Sequence, residues 1–425
     1  MTGRKKMKVL VVGGGGREHA LVWKIAQSKK VEKIYCAPGN GGIAEIAECI
    51  EIKATDIENL VAFAKEKAID LTVVGMDDPL VLGIVDAFQK EGLRIFGPTK
   101  RAAEIEGSKV FAKELMKKYQ IPTPSYEVFT DPEKAIAYVK QQPLPIVIKA
   151  DGLALGKGVL ICHTYEEAIE GISDMMIHEK FKEAGKRIVI EEYIEGPEVS
   201  VLAFCDGKTI LPMVSAQDHK RAFDFDRGPN TGGMGTFSPS PKYTKDMEEF
   251  CMEHIFQPTV DAMKKEGRPF VGILFFGLML TKQGVKVLEY NARFGDPETQ
   301  VILPRLESDL IEIFEACLER RLSEIQIQWS ERAAVCVVMA SGGYPMGYRT
   351  GYPIEGLDHV KEDPDWMVFH AGTQKKKDAI VTKGGRVLGV TGLGDNLQEA
   401  IKKAYEGVQK IQFKDQHYRK DIGKK

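Results

Sequence analysis

The stretch KVLEYNARFGDPETQ, Lys286 to Gln300, decides how this chain is read. It begins as a strand and follows the apolar run FVGILFFGLML, residues 270–280. Side chains alternate faces along a strand, so Glu289, Asn291 and Arg293 are expected on one face. The apolar run predicts a well-buried sheet, and a buried carboxylate needs a partner. Carboxylate and carboxamide oxygens side by side suit Mg2+, a hard cation that takes one or two protein oxygens and completes its shell with phosphate oxygens. Arg293 on the same face would stabilise the charge of a phosphoryl group in transfer. A solvated polar strand face is the competing reading.

Three glycine-rich stretches bear on what such a metal would serve. GGGGREH (13–19) follows a strand and opens a helix, as a dinucleotide site does. The GxGxxG spacing fails, because Glu18 or His19 stands where the third glycine belongs, and CAPGNGG lacks the acidic residue that grips a ribose. Backbone N–H groups at Gly14, Gly15 and Gly16, with Arg17 beside them, still form a candidate anion site; a tight turn needs the same glycines. ADGLALGKGV (150–159) fails as a P-loop, with Asp151 and Gly158 at positions that require glycine and Ser/Thr. What remains is Lys149 at the end of PIVIK and a glycine-rich loop carrying Lys157, able to fold over phosphates or to be a plain turn. GPNTGGMG (228–235) lies just after Asp218, His219, Lys220 and Arg221, either a binding loop or a solvated one.

Around these landmarks the chain divides. Residues 8–98 alternate strand and helix patterns, which predicts a parallel sheet covered by helices with ligands beyond the strand ends. SKVFAKELMKKYQ (108–120) predicts a helix capped by Ser108 and broken by IPTP. Short strands and helices follow from about 125 to 195, then longer strands to about 330. The polar, glycine-rich stretch 215–241 reads as a long loop. A last unit ends in a helix with Leu397, Ile401, Ala404, Val408 and Ile411 on one face. The expected domains are 1–107, 108–330 with a small lobe at about 125–195, and 331–425.

Composition narrows the function. With 425 residues, two to four domains are expected. Lys+Arg of 59 against Asp+Glu of 61 gives a net charge of -2, so no case exists for nucleic acid or a membrane surface, and any anion site must be local. Seven scattered cysteines without a CxxC pair suit a reducing cytoplasm, not a disulfide framework or a zinc site. The run at 270–280 is too short for a membrane helix, which needs ~20 residues. The first six residues read as a loose extension.

ExNxR on a late strand, a strand-end lysine before a glycine-rich loop, and the acidic strand end IVIEEY (188–193) together resemble the ATP-grasp superfamily, in which two α+β lobes clamp ATP. GGGGREHAL, APGNGG, EGSKVFAK, IPTP, IKADGLALGKGV, IEEYIEGPEVS, QDHKR, GPNTGGMG, NARFGDPETQ, HAGT, GGRVLGVT and YRKDIG narrow it to the glycinamide ribonucleotide synthetase family, over residues 7–424. The resemblance implies a Rossmann-like N-terminal domain, a central ATP-grasp fold of two lobes and a small C-terminal α+β domain. It implies ligation of glycine to 5-phosphoribosylamine in purine biosynthesis, with ATP going to ADP and phosphate through a glycyl phosphate. A carboxylate acylates poorly until phosphorylation gives it a leaving group, and that intermediate must be kept from water.

The same resemblance implies roles. Glu289 and Asn291 hold Mg2+, with Mn2+ a second candidate. Lys109 and Lys149 meet ATP phosphates, and Gly152, Gly156, Lys157 and Gly158 belong to the loop that closes on them. Glu191, Glu192 and Tyr193 meet the adenine edge, and Glu198 the ribose hydroxyls. Arg293, Asp218 and Lys220, with Asn230, Thr231, Gly232 and Gly233, position glycine and the transferring phosphoryl group. Gly14–Arg17 and Arg386 are candidates for the phosphate of the second substrate, and Asp77 for its ribose hydroxyls or amine. A cytoplasmic monomer is expected, with transient contact to the enzyme that supplies the labile amine.

Two departures from the family pattern stand out. GMDDP (75–79) replaces the usual GPExP, so Asp77 is one methylene shorter than the expected acid, and Phe275–Phe276 replaces Tyr-Ala. Another ATP-grasp carboxylate–amine ligase is the alternative within the fold. An ATP-binding regulatory protein is the alternative outside catalysis, and it would be expected to have lost a metal ligand.

Overall fold

The computed structural model describes residues 6–152, 158–178, 180, 182–360 and 363–424. Gly156 and Lys157 lie outside the described residues.

The N-terminal unit is a parallel sheet in the order Glu48–Cys49, Val31–Pro38, Met7–Gly13, Leu71–Val74, Ile95–Phe96. Its strands are near-continuous apolar runs because helices cover both faces. Val9 and Val11 pack on one side, Leu10 and Val12 on the other, all fully buried. The strand order reverses around Met7–Gly13, which brings the ends of that strand and of Leu71–Val74 to one rim.

The helix Lys109–Lys118 leads into the clamp. Ser108 caps it as expected, its Oγ accepting from the Phe111 N–H at 3.1 Å. The small lobe is an antiparallel sheet in the order Tyr126–Phe129, Ile188–Glu192, Ile146–Ala150, Val159–Cys162. It has its own core around Ile148, Ala168, Ile172 and Ile190. The large-lobe sheet runs Ile210–Pro212, Glu198–Asp206, Val271–Thr281, Gly284–Asn291. Its Val199, Val201, Phe276 and Val287 share one core with Leu10 and Val12. The large lobe and the N-terminal unit are therefore packed as one body, whereas the small lobe is joined to them through polar contacts.

Two expectations change. The strand carrying Glu289 and Asn291 stops at Asn291, so Arg293 lies in the bend beyond it and reaches the same region from there. The stretch 215–241 is not a plain loop. Gln217–Asp218 and Gly235–Ser238 are strands of the C-terminal sheet, which continues Ala333–Ser341, Arg386–Gly394, Trp366–His370. Arg221–Phe223 and Arg227–Asn230 form a hairpin between them. The polar composition hid these strands, because they are short and the register of Gly235–Ser238 is set by Ala333–Ser341, far downstream. The YRKDIG segment fastens the hairpin: Arg419 is fully buried, 2.9 Å from Asp226 and 2.7 Å from Asp421. Leu397–Lys410 is helical and buries Ile401, Ala404 and Val408; Ile411 follows it as its buried cap.

Candidate active site

The large-lobe strand Gly284–Asn291 supplies the centre of the site. Its pairing with Val271–Thr281 slips by one residue: Glu289 faces Gly277, while Val287 faces Leu278. The extra residue, Leu288, offers its carbonyl to Lys149 Nζ at 3.2 Å. A side chain on Gly277 would begin 3.1 Å from Glu289 Cγ, so the glycine leaves room for the carboxylate.

The charges of four cations act on Glu289. Burial alone would raise its pKa, but Lys220, Lys149, Lys109 and Arg293 hold it below the ordinary carboxylate range. Lys109 Nζ donates to Gly152 O at 2.9 Å, and burial lowers its pKa against the pull of Glu289. Asn291 Oδ1 accepts from Arg293 Nη2 at 3.1 Å. An ionised carboxylate and a carboxamide oxygen two residues apart fit a Mg2+ ion that takes its remaining ligands from phosphate and water. Among the described residues no cluster of three or more His, Cys, Asp or Glu could hold a metal by protein ligands alone.

Lys149 sits 3.0 Å from Glu191 Oε2, and Lys113 3.1 Å from the same oxygen. Glu192, next along the strand, points the other way and is exposed. It accepts from the Ser125 N–H at 2.9 Å and pairs with Lys286 at 2.9 Å, which ties the small lobe to the large one. Tyr193 follows the strand end and is half-buried. Glu198, at the start of Glu198–Asp206, pairs with Lys220 at 2.7 Å. The Lys220 side chain is half-exposed, and that pair, helped by Glu289 and Asp218, raises its pKa. Gly158 is buried and its carbonyl accepts from the Ala150 N–H at 2.8 Å.

Asp218 lies near Glu298, and both pKa values are raised, first by burial and, for Asp218, next by the Glu298 charge. Ser200 Oγ donates to Glu298 at 3.2 Å. Thr231 closes the loop above by donating twice to Lys220 O, from N and Oγ1, both at 2.8 Å. Gly233 has φ +112°, left-handed backbone, and a side chain there would press on Pro297 and Asp218. Asn230 is exposed at the hairpin edge, opposite Arg221.

At the rim of the N-terminal sheet, the helix Gly16–Ile25 begins beneath Asp296. Gly14 cannot carry a side chain, because Cβ would lie 2.5 Å from Gly39 O. The Gly15 N–H donates to Glu18 at 2.6 Å, and the Arg17 N–H to Asp296. Gln300 Nε2 also reaches Asp296, at 2.8 Å. Arg386 donates to Gly232 O at 2.7 Å and to Asp296 O at 2.8 Å, and its Nη2 lies 3.5 Å from the Asp296 carboxylate. The anion cradle expected at this turn is thus partly held by carboxylates of the chain itself. Burial opposes ionisation of Arg17, but Glu18, Asp296 and Asp77 raise its pKa. Asp77 opens the helix Asp77–Leu82, 4.0 Å from Arg293, and its pKa is lowered by Arg293 and Arg17 against burial. Phe275 stands directly across from Asn291, which places that departure beside the strand carrying Glu289 and Asn291.

The site therefore gathers residues from all three units. Sequence reading passed over five of its members. Glu106 pairs with Arg293 at 2.9 Å, and Lys113 with Glu191. Asp151 accepts from Ser108 Oγ at 3.0 Å and from the Val110 N–H at 3.1 Å, joining the small lobe to the helix start. Asp296 and Glu298 complete the set. All five sit inside quoted motifs, EGSKVFAK, IKADG and NARFGDPETQ, so a charged residue within a motif was the available signal.

Comparison with known proteins agrees across the chain. Residues 7–106 match the family described as Phosphoribosylglycinamide synthetase, N domain. Residues 107–299 match its ATP-grasp (A) domain and residues 334–425 its C domain. The chain is 54% identical over 419 residues to the phosphoribosylamine–glycine ligase of Halalkalibacterium halodurans, covering 99% of this chain and 97% of that one. It is 51% identical to the enzyme of that name from Escherichia coli O157:H7, covering 98% of each. The crystal structure of phosphoribosylamine–glycine ligase from Thermotoga maritima superposes with a TM-score of 0.83 at 36% identity, over 97% of this chain and 99% of that one. A biotin carboxylase domain from Hydrogenobacter thermophilus shares the fold at a TM-score of 0.77 and 18% identity, over 98% of this chain and 92% of that one. With every domain matched in order, the chain belongs to the phosphoribosylglycinamide synthetase family.

Proposed function

We propose that this protein ligates glycine to 5-phosphoribosylamine, converting ATP to ADP and phosphate and giving glycinamide ribonucleotide for purine biosynthesis. The observation that carries the reading is that Lys109, Lys149, Lys220 and Arg293 all lie within electrostatic reach of Glu289, inside a chain matched end to end by ligases of that name. Four cations around one ionised carboxylate suit a triphosphate with its metal.

Glu289 and Asn291 would hold Mg2+, with Mn2+ a second candidate, and the metal would neutralise phosphate charge when bound. Lys109 and Lys149 face the phosphates, and the loop 152–158, whose residues 153–157 lie outside the described ones, would exclude water. The Glu191–Tyr193 strand end meets the adenine edge, mainly through Glu191 and backbone, since the Glu192 side chain is engaged by Lys286. Glu198 meets the ribose hydroxyls, and Lys220 sets its position.

Glycine is placed with its ammonium toward Asp218 and its carboxylate toward Arg293. Its carboxylate oxygen attacks the γ-phosphorus and ADP leaves, giving glycyl phosphate. The amine of phosphoribosylamine then attacks the glycyl carbon and phosphate leaves. The nucleophile is a free amine, so alignment and charge suffice without a strong general base. Phosphoribosylamine is placed between the Gly14–Arg17 turn, Asp77 and Arg386. Its lability favours transient contact with the enzyme that makes it. No helix among the described residues is long and apolar enough to cross a membrane, and a cytoplasmic enzyme is the natural setting.

The test is ADP release with Mg2+, ATP and glycine, with and without phosphoribosylamine generated in situ. Release that needs both substrates, matched by ribonucleotide amide, is expected. Release indifferent to glycine would overturn the reading.

A further inference from the structure

Lys113 and Lys149 share one oxygen of Glu191, and the three side chains are 3%, 8% and 2% exposed. The second Glu191 oxygen, Oε1, is buried without a hydrogen-bond partner. Lys113 Nζ also donates to Thr123 Oγ1 at 2.7 Å, and Thr123 passes a hydrogen to Val287 O at 2.8 Å. Lys149 makes its second bond to Leu288 O. Each ammonium has three hydrogens, so each keeps one beyond those contacts.

Two cations on one carboxylate leave a net positive charge in a dry place. If Lys149 were the sole cation on Glu191, a triphosphate could recruit it only by stripping Glu191 of its counter-charge. A buried carboxylate next to a polyanion would then be left unpaired, which is costly. Lys113 removes that conflict. Thr123 holds it in place on Glu191, anchored to the large-lobe strand at Val287.

We propose that Lys113 is a positioning residue of the nucleotide site: it keeps Glu191 neutralised and oriented, so that Lys149 can turn to phosphate and Glu191 Oε1 stays ready as an acceptor for the purine's exocyclic amine. The inference rests on reading this cleft as the ATP site.

MgATP binding to the full chain, measured by calorimetry, tests both without needing turnover. Lys113→Met is expected to weaken binding about tenfold or more, the scale for truncating one partner of a buried charge pair. In steady state KM for ATP rises, while kcat and KM for glycine stay within about threefold, a small free-energy change. Lys113→Arg restores most of the affinity. Glu191→Gln added to Lys113→Met relieves part of the loss, because the stranded charge is gone. Lys113→Gln, which keeps a donor for Thr123, carries the same comparison if the methionine variant does not fold. Binding by the uncharged variants within twofold of wild type, or no relief from Glu191→Gln, would overturn the role of Lys113. A wild-type chain that binds no MgATP would overturn the nucleotide reading, and this inference with it.

Discussion

Arg293 places Nη2 2.9 Å from Glu106 Oε1, while Glu106 Oε2 accepts the Ala292 N–H at 2.7 Å. One carboxylate thus holds both the guanidinium and the backbone that carries it. Glu106 belongs to the helix Lys100–Gly107, and Arg293 to the bend after the strand Gly284–Asn291. The guanidinium is therefore aimed by an element that carries none of the other proposed phosphate-binding groups.

Glu106→Gln should leave the largely buried Arg293 guanidinium without its nearest counter-charge, with Asp77 4.0 Å away as the next. A loss of about 3 kcal/mol of stability is expected, the low end for breaking a buried ion pair. kcat should fall by roughly 10²-fold, the scale of a misplacement near 1 Å. Denaturant unfolding and steady-state kinetics on the same preparation check both. Unchanged kcat with lowered stability would make Glu106 purely structural.

Glu289→Gln removes the charge of the proposed metal ligand but keeps its shape. kcat/KM is expected to drop by roughly 10²-fold or more. The Mg2+ concentration needed for half-maximal rate should rise as well. Because the wild-type carboxylate pKa is lowered by Lys220, Lys149, Lys109 and Arg293 against burial, its contribution to stability is present at neutral pH. That contribution is lost as pH falls below the ordinary value of 4.5, so the variant should be less acid-sensitive there. A magnesium titration and acid unfolding curves of the two proteins decide it.

Asp218 and Glu298 both have raised pKa values, so the pair holds a proton at pH values where isolated carboxyls are ionised. The folded state binds protons more tightly here, so the stabilisation lies at low pH and fades as pH rises above the ordinary carboxylate range. An ammonium group arriving beside the pair would favour the ionised form and expel that proton. Glycine binding at pH 7 should therefore release protons, seen as a dependence of the binding heat on buffer ionisation enthalpy. Asp218→Asn should abolish the release and weaken glycine binding. Equal heats in all buffers for the wild type would place the glycine ammonium elsewhere.

His19 accepts the His370 backbone N–H through Nδ1 at 2.7 Å, joining the N-terminal and C-terminal units. Burial, with the nearby His370, holds its pKa well below the ordinary 6.5. The unfolded chain protonates there and the folded one does not. Stability is complete above pH 6.5 and falls below it, by at most about 1.4 kcal/mol per pH unit for this group. His19→Asn keeps an acceptor for the same N–H and should flatten the decline between pH 6.5 and 5.5. Denaturant midpoints at stepped pH measure it, and an unaltered slope would remove His19 as its source.

The elements legible in the sequence were those written in local patterns. Period-two alternation put Glu289 and Asn291 on one strand face, Ser108 announced its helix, and apolar runs marked the parallel strands of the N-terminal sheet. These follow from steric and hydrogen-bonding rules that act over a few residues. The family motifs extended that reach by naming groups that geometry could not yet join.

Only the tertiary structure decided which charges neutralise which. Arg293 lies 187 positions from Glu106, Lys113 is 78 from Glu191, and Asp296 folds back over the turn at Gly16 and Arg17. It also made strands of Gln217–Asp218 and Gly235–Ser238, whose polar sequence reads as loop until Ala333–Ser341 pairs with the second of them. A buried charge must find a counter-charge, but any residue of opposite sign satisfies that need equally well in one dimension. The path of the chain chooses among them, because Coulomb attraction in a dry interior depends on distances that sequence separation does not encode.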